Sequence, residues 1–386
     1  MTTQSDVDTR AELRSAVRQC LDRHADVWRF VADGNDQRHR VDEHLYQRLA
    51  GEMGLAGLLV PEWLGGSGAG VGELSAACEE LGSSLAPVPV FATAGLAVPA
   101  LLVGSGFGAD DVGAELLTSI ADGAMVATLA VAESPGHAVG DVASIRATRS
   151  GDAWTVRGEK QFVVDGAVAD VVLVPAMTDS GTALFAVDRT AVGVQVEPMS
   201  GIDLLRGLAK IRLDSAPARL IGADSGAEVA LKTALELSVI VLAAEQVGGA
   251  QRCLDNAVAY AKQRVQFDRP IGSFQAVKHL LVDLLLEVEL ARSAMTHAVG
   301  IADEYLRDPS TTTAADLAEA AAVARSMCSE TFMHVADEAL HVHGGIGFTW
   351  EHDCHLYYRR AKFCELLFGN PYEYRERLAT AAGLPG

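Results

Sequence analysis

Apolar positions recur every three or four residues at both ends of the chain and at every second residue in its middle third. Near the start, Leu45, Leu49, Met53 and Leu55 share one stripe and predict an amphipathic helix. Pro61 and the run Gly65, Gly66, Ser67, Gly68 then break it. A further helix is predicted over Val71–Leu81, with Leu74, Cys78 and Leu81 on its apolar face and Glu79 and Glu80 near its end. From about Val126 to Ile221 the period drops to two. Residues Trp154 to Arg157, Val192 to Val196 and Ile211 to Asp214 alternate as half-buried strands do. The runs Val171–Val174 and Ala183–Val187 are short and continuously apolar, as in strands covered on both faces. Turn residues at Ser150–Asp152, Asp165–Gly166 and Ser180–Gly181 punctuate them. From about Gly226 the helical period returns through Leu280, Leu281, Leu284, Leu285, Val288 and Ala291, and Ala314–Val335 is another long helix. The pattern predicts an α+β protein: an N-terminal helical domain at 1–125, a middle β-sandwich or barrel at 126–222, and a C-terminal helical bundle at 223–386.

Composition narrows the class of partner. With 49% hydrophobic and 21% charged residues the chain has ample core material and is not disordered. A net charge of -20 repels phosphate backbones, so no nucleic-acid partner is expected. Cys20, Cys78, Cys253, Cys328, Cys354 and Cys364 are scattered without CxxC pairs, which points to reduced thiols and a cytoplasmic setting. The start, Met1 to Asp6, lacks the basic and apolar regions of a secretory signal. Leu81 to Ala109 carries no charge, but Pro87, Pro89 and Pro99, with Gly95, Gly104, Gly106 and Gly108, predict a loop and a buried small-residue helix, not a membrane span.

Candidate chemistry is sparse in the first two thirds. Gly104, Gly106 and Ala109 fit GxGxxA, yet no βαβ pattern surrounds them, so an inter-helix loop is expected. His341, His343, His352, Cys354 and His355 crowd together, but their spacing matches no paired-ligand pattern and no metal is expected. The Gly344–Phe348 turn, with three glycines, offers bare N–H groups to an anion. Arg264, Phe267 and Gln275 surround a helix junction. They suit a pyrophosphate and an adenine ring, and they suit a charge-capped surface turn equally well.

Together these elements carry a resemblance. Residues 259–279 (AYAKQRVQFDRPIGSFQAVKH), 339–352 (ALHVHGGIGFTWEH), 356–362 (LYYRRAK), 60–66 (VPEWLGG) and 79–82 (EELG) resemble stretches of the acyl-CoA dehydrogenases, in the family's order. The resemblance implies an FAD enzyme that oxidises an acyl-CoA thioester to the trans-2-enoyl-CoA. In that family a glutamate removes the α-proton, the β-hydride passes to the flavin, and an electron-transfer flavoprotein reoxidises it. This chain departs from the family at both positions where that glutamate sits. Phe368 occupies one and Ser238 the other, and Val239 stands where a CoA-contacting arginine is common. The flavin-ring loop, Ala132 to Asp141, is degraded, and Phe162 and Val164 replace a tryptophan and a threonine.

By the same resemblance, the residues that reach a neighbouring subunit's FAD through its adenosine diphosphate half are retained: Arg264, Phe267, Gln275, Gly344 and Gly345. His341 replaces a glutamine there and Asp268 a glycine. The asymmetry is similar to that of the base-lacking subunit of heteromeric (α2β2) acyl-CoA dehydrogenases from steroid-degrading bacteria, which implies a homologous subunit as partner. Two other readings stay open. One is a homotetramer with a relocated base, for which Glu245, two helical turns beyond Ser238, is the nearest acid on the helix. The other is an inactive acyl-CoA- or flavin-binding scaffold.

Overall fold

The computed structural model describes residues 4–31, 41–106, 108–133 and 144–384. Its first third is helical, with α1 (Gln4–His24), α2 (Val27–Val31), α3 (Glu43–Tyr46), α4 (Val71–Ser84), α5 (Val98–Gly104) and α6 (Asp111–Ala121). The single helix expected across Leu45 to Leu55 is divided. After α3 it widens to a π-helix over Gln47–Glu52, stops at Gly54, whose φ is +72°, and resumes as a separate 3-10 turn at Leu55–Gly57. Leu45, Leu49 and Leu55 of the apolar stripe are buried and Met53 half-buried, and the left-handed glycine redirects the backbone.

The middle third holds seven paired strands: β1 (Ala127–Leu129), β2 (Arg146–Ser150), β3 (Ala153–Val164), β4 (Val171–Met177), β5 (Thr182–Asp188), β6 (Val194–Met199) and β7 (Leu208–Ile221). The pairings β4–β2–β3–β7–β5 return to β4, so five strands close into a barrel, with β1 beside β4 and β6 beside β7. Closure at β2–β4 rests on one residue pair, Arg146 opposite Met177. β4 and β5 are buried along nearly their whole length, which explains their unbroken apolar runs. Val156, Val174, Phe185, Ile211 and Leu213 fill the interior. The alternation expected from Val192 begins two residues later, because Val192 is exposed and Gly193 turns the chain at φ +84°.

The last third returns to helices: α7 (Ala227–Gln263), α8 (Gln275–Arg307), α9 (Ala314–His343), α10 (Cys354–Leu366) and α11 (Pro371–Ala381). A two-stranded hairpin of β8 (Val265–Gln266) and β9 (Arg269–Pro270) separates α7 from α8. A 3-10 turn over Gly344–Phe348 separates α9 from α10. Among the described residues no helix is long and apolar enough to cross a membrane.

Two compact units arise, one from residues 1–21, 75–85 and 239–386 and the other from 22–74 and 86–238. In the first, α4 and α7 touch backbone to backbone. A Cβ on Gly82 would strike the Glu245 carbonyl, and one on Gly248 the Glu79 carbonyl. The buried carboxylates Glu79 and Glu80 tie α1 to α4. Arg14 reaches Glu79 at 2.6 Å, Arg292 also binds it, and Arg18 grips Glu80 with two hydrogen bonds of 2.7 and 2.8 Å. In the second unit, Lys160 of β3 is fully buried and meets Glu133 at 3.1 Å. The Ser144 N–H and hydroxyl donate to the other Glu133 oxygen at 2.6 and 2.7 Å.

Burial pushes the Glu133 carboxyl up, but the Ser144 hydrogen bonds and the Lys160 charge outweigh it and hold it at about 2. The folded pKa lies below the ordinary 4.5, so this contribution is complete above that pH and is lost as pH falls towards 2. Lys160→Met leaves the carboxylate buried without its cation and is expected to cost about 3–5 kcal/mol. The check is denaturant unfolding at pH 7 and at pH 3, where the gap between variant and wild type should narrow.

Candidate functional site

The C-terminal helical unit assembles the retained motif residues at two chain junctions. Arg264 follows α7 directly, one helical turn after Tyr260, and its N–H donates to the Tyr260 carbonyl at 2.8 Å. The hairpin beyond it turns through Phe267 and Asp268, both left-handed at φ +53° and +61°. A two-residue hairpin loop with both φ values positive matches the right-handed twist of its strands, and it strains any residue with a Cβ. Phe267 is 86% exposed at that tip, although a phenyl ring is a costly group to leave in water. Arg269 lies 3.9 Å above the Phe274 ring and stiffens the base of the hairpin. Gln275 opens α8 and is exposed. Asp268→Gly should raise stability by about 1 kcal/mol by removing left-handed strain, read as a higher melting temperature.

The second junction is the glycine turn. Gly344 ends α9 at φ +62° and ψ −139°, a conformation essentially closed to residues with a side chain. Gly345 does not share that backbone conformation, and a Cβ there would meet nothing within 4 Å. Nothing within the described chain therefore requires a glycine at 345. His341 is exposed, 3.6 Å from Glu338. The two junctions are brought together by a ring contact, Tyr260 of α7 stacking on His343 of α9 at 4.5 Å between centroids. The five retained residues, Arg264, Phe267, Gln275, Gly344 and Gly345, and the substituted His341 are all exposed.

Neither of the two positions where the resemblance puts the base, 368 and 238, carries an acid. Phe368 follows α10 in left-handed conformation, φ +60°, and its side chain is 9% exposed. Its carbonyl accepts from the Tyr374 hydroxyl at 2.8 Å. Arg325, fully buried on α9, donates to the carbonyls of Cys364, Leu367 and Gly369 at 2.6, 2.7 and 3.0 Å. The turn carrying Phe368 is thus clamped by its backbone, whatever its side chain. Ser238 is 0% exposed and its hydroxyl donates back to the Ala234 carbonyl at 2.8 Å. Glu245 is 1% exposed and ion-paired to Arg360 at 2.8 Å.

The clamp was not foreseen from sequence, although a signal exists. Arg325 lies on the same helical stripe as Leu317, Ala321, Cys328 and Phe332, and a cation on an apolar face needs a polar partner inside.

In the second unit, Phe162 falls in the register shift between Lys160 and Val163, is left-handed at φ +52°, and is 37% exposed. Val164 is buried, and its carbonyl accepts from the Thr128 hydroxyl at 2.7 Å. Of the expected flavin-ring loop, positions 134–141 lie outside the described residues. So does Phe107 of the GxGxxA run, whose flanking glycines 106 and 108 are left-handed.

Family models match the chain from end to end: the acyl-CoA dehydrogenase N-terminal domain over residues 7–124, the middle domain over 128–215 and the C-terminal domain over 224–382. The chain belongs to the acyl-CoA dehydrogenase family. It is an FAD-dependent oxidoreductase acting on acyl-CoA thioesters. It is 32% identical to the acyl-CoA dehydrogenase IpdE2 of Mycolicibacterium smegmatis over 96% of this chain and 98% of that one. Its fold is similar to the ChsE4-ChsE5 complex from Mycobacterium tuberculosis, with a TM-score of 0.84, 30% identity and coverage of 100% and 99%. A Tcur3481-Tcur3483 steroid ACAD matches with a TM-score of 0.83, 30% identity and coverage of 97% and 98%.

Proposed function

We propose that this acyl-CoA dehydrogenase chain is the subunit without the catalytic glutamate in a heteromeric complex. The complex oxidises the CoA thioester of a steroid-derived or related lipid acid to its trans-2-enoyl-CoA. The observation that carries the reading is the pair of occupied base positions: a buried phenyl at Phe368 and a hydroxyl at Ser238 committed to its own helix. Neither can accept an α-proton. Likeness to a heteromeric complex and to a steroid enzyme supports the partner and substrate class.

The exposed residues fit the adenosine diphosphate half of FAD. Arg264 is a free-standing fork at a helix end, Phe267 an uncovered ring on a stiff hairpin, and the open amide face at Gly345 has room for close approach. Arg264 would hold pyrophosphate oxygens, Phe267 and Gln275 would cover and fix the adenosine end, and His341 would flank the turn. Bound FAD supplies the acceptor for the substrate hydride. This chain's own residues hold the cofactor's distal half, and the carboxylate that takes the α-proton comes from the homologous partner subunit. Electrons then leave to an electron-transfer flavoprotein.

The test is flavin content and turnover for this chain alone, and for this chain with a homologous acyl-CoA dehydrogenase subunit that carries the glutamate. Flavin retention and dehydrogenation are expected only in the mixed assembly. One flavin per chain with full activity in the homo-oligomer would overturn the reading. A mixed complex that gains neither flavin nor activity over its partner alone would favour the inactive scaffold.

A further inference from the structure

We propose that His343, His352 and Cys354 form a binding site for one borderline-soft dication of the zinc class, which staples the glycine turn between α9 and α10. Their candidate ligand atoms all lie within 4.8 Å of one another, although eight residues separate the two histidines and the spacing fits no metal motif. Imidazole nitrogen and cysteine sulfur are the donors such an ion prefers.

His343 also carries the outer contact that metal-bound imidazoles use. The Nδ1 of His343 lies 2.7 Å from the Ala339 carbonyl, which can only accept, so Nδ1 holds the proton and Nε2 the lone pair. That Nε2 is buried in a residue 3% exposed and has no hydrogen-bond partner. Leaving such an atom unpaired costs about 1–3 kcal/mol, so an ion there answers a need within the fold. His352 offers a second imidazole: its Nδ1 accepts the Cys354 N–H at 3.3 Å and lies 3.1 Å from the Asp353 carboxylate. Cys354 is 4% exposed at the first residue of α10, and burial pushes its thiol up to about 12, so a bound ion has to displace that proton.

Geometry asks for a small closure. Donors at 2.0–2.3 Å from a tetrahedral ion stand roughly 3.5 Å apart, so the widest gap must shrink by about 1 Å. His352 is only partly buried and lies in the loop before α10, where rotation can supply this. On binding, the Cys354 thiol gives its proton to solvent as the metal–sulfur bond forms. Three protein ligands leave the fourth position to water. Because His343 immediately precedes Gly344, the ion would lock the turn that the proposed function assigns to FAD, but ion binding itself does not depend on that assignment.

The test uses the full chain, stripped with EDTA and dialysed against zinc or cobalt chloride. One ion per chain is expected, with the ligand-field spectrum of tetrahedral cobalt and a thiolate-to-cobalt charge-transfer band. Cys354→Ser should abolish that band, and His352→Gln should weaken uptake by roughly a hundredfold. The melting temperature in EDTA should be unchanged for His352→Gln, since the altered side chain is partly exposed. Substoichiometric uptake, uptake that survives both substitutions, or uptake removed by His341→Ala instead would each overturn the proposal. The last result would place the ion at the exposed Asp337, Glu338, His341 cluster.

Discussion

Arg264→Ala is expected to empty the assembled complex of flavin while leaving the fold of this chain intact. The side chain is exposed beyond the last turn of α7, so its removal disturbs no core contact. Hydrogen bonds from a guanidinium to phosphate oxygens are charge-assisted, and each is worth about 1.5–3 kcal/mol. Loss of that much binding corresponds to roughly ten- to two-hundredfold weaker retention. Arg264→Lys should recover only part, because an ammonium cannot match the planar two-point fork. The measurement is flavin per complex after gel filtration, together with an unchanged melting temperature of the apoprotein. Phe368→Glu by itself should yield no turnover in the homo-oligomer, since Val164 is buried and offers the flavin ring no hydrogen bond. Unchanged flavin for Arg264→Ala, or activity from Phe368→Glu alone, would mean that this chain supplies the other half of the site.

Arg360→Met is expected to destabilise the chain by about 3–5 kcal/mol, as large a loss as that of Lys160→Met. It strands Glu245, 1% exposed, without the cation 2.8 Å away. The double variant Glu245→Leu with Arg360→Met should recover most of that loss, because removing both charges also removes their desolvation cost. Denaturant unfolding of both single variants and the double closes the cycle. The same double variant separates structure from catalysis. With stability restored, turnover in the mixed complex should persist if Glu245 serves the core, and should vanish if Glu245 is a relocated base.

Local pattern carried much of this fold. The continuous apolar runs of β4 and β5, and the turns between strands, were legible because burial on both faces leaves no polar position. The long helices α8 and α9 announced themselves by period, and the junction at Phe267 and the turn at Gly344 by their helix-breaking residues, although the hairpin at that junction was not foreseen. The division of the Leu45–Leu55 stripe was less legible. An apolar stripe reports which face is buried, but not whether its backbone is α-helix, π-helix or a 3-10 turn.

By itself, then, the sequence determined the helical, β and helical order and the family, and it supplied the expectation that Phe368 and Ser238 stand where the family's base sits and that Arg264, Phe267 and the glycine turn face FAD. Those are properties of residue identity and near-neighbour spacing. Only the tertiary structure decided that five strands close into a barrel through the single Arg146–Met177 pair. It alone joined Glu245 to Arg360, 115 residues away, and set Arg325 against the turn that carries Phe368. It also put Tyr260 beside His343, and His343 beside His352 at 4.4 Å between rings. The physical reason is that burial and ion pairing act through space. A buried charge or an unpaired imidazole nitrogen is expensive in the low-dielectric interior, and its partner is chosen by packing, not by position along the chain.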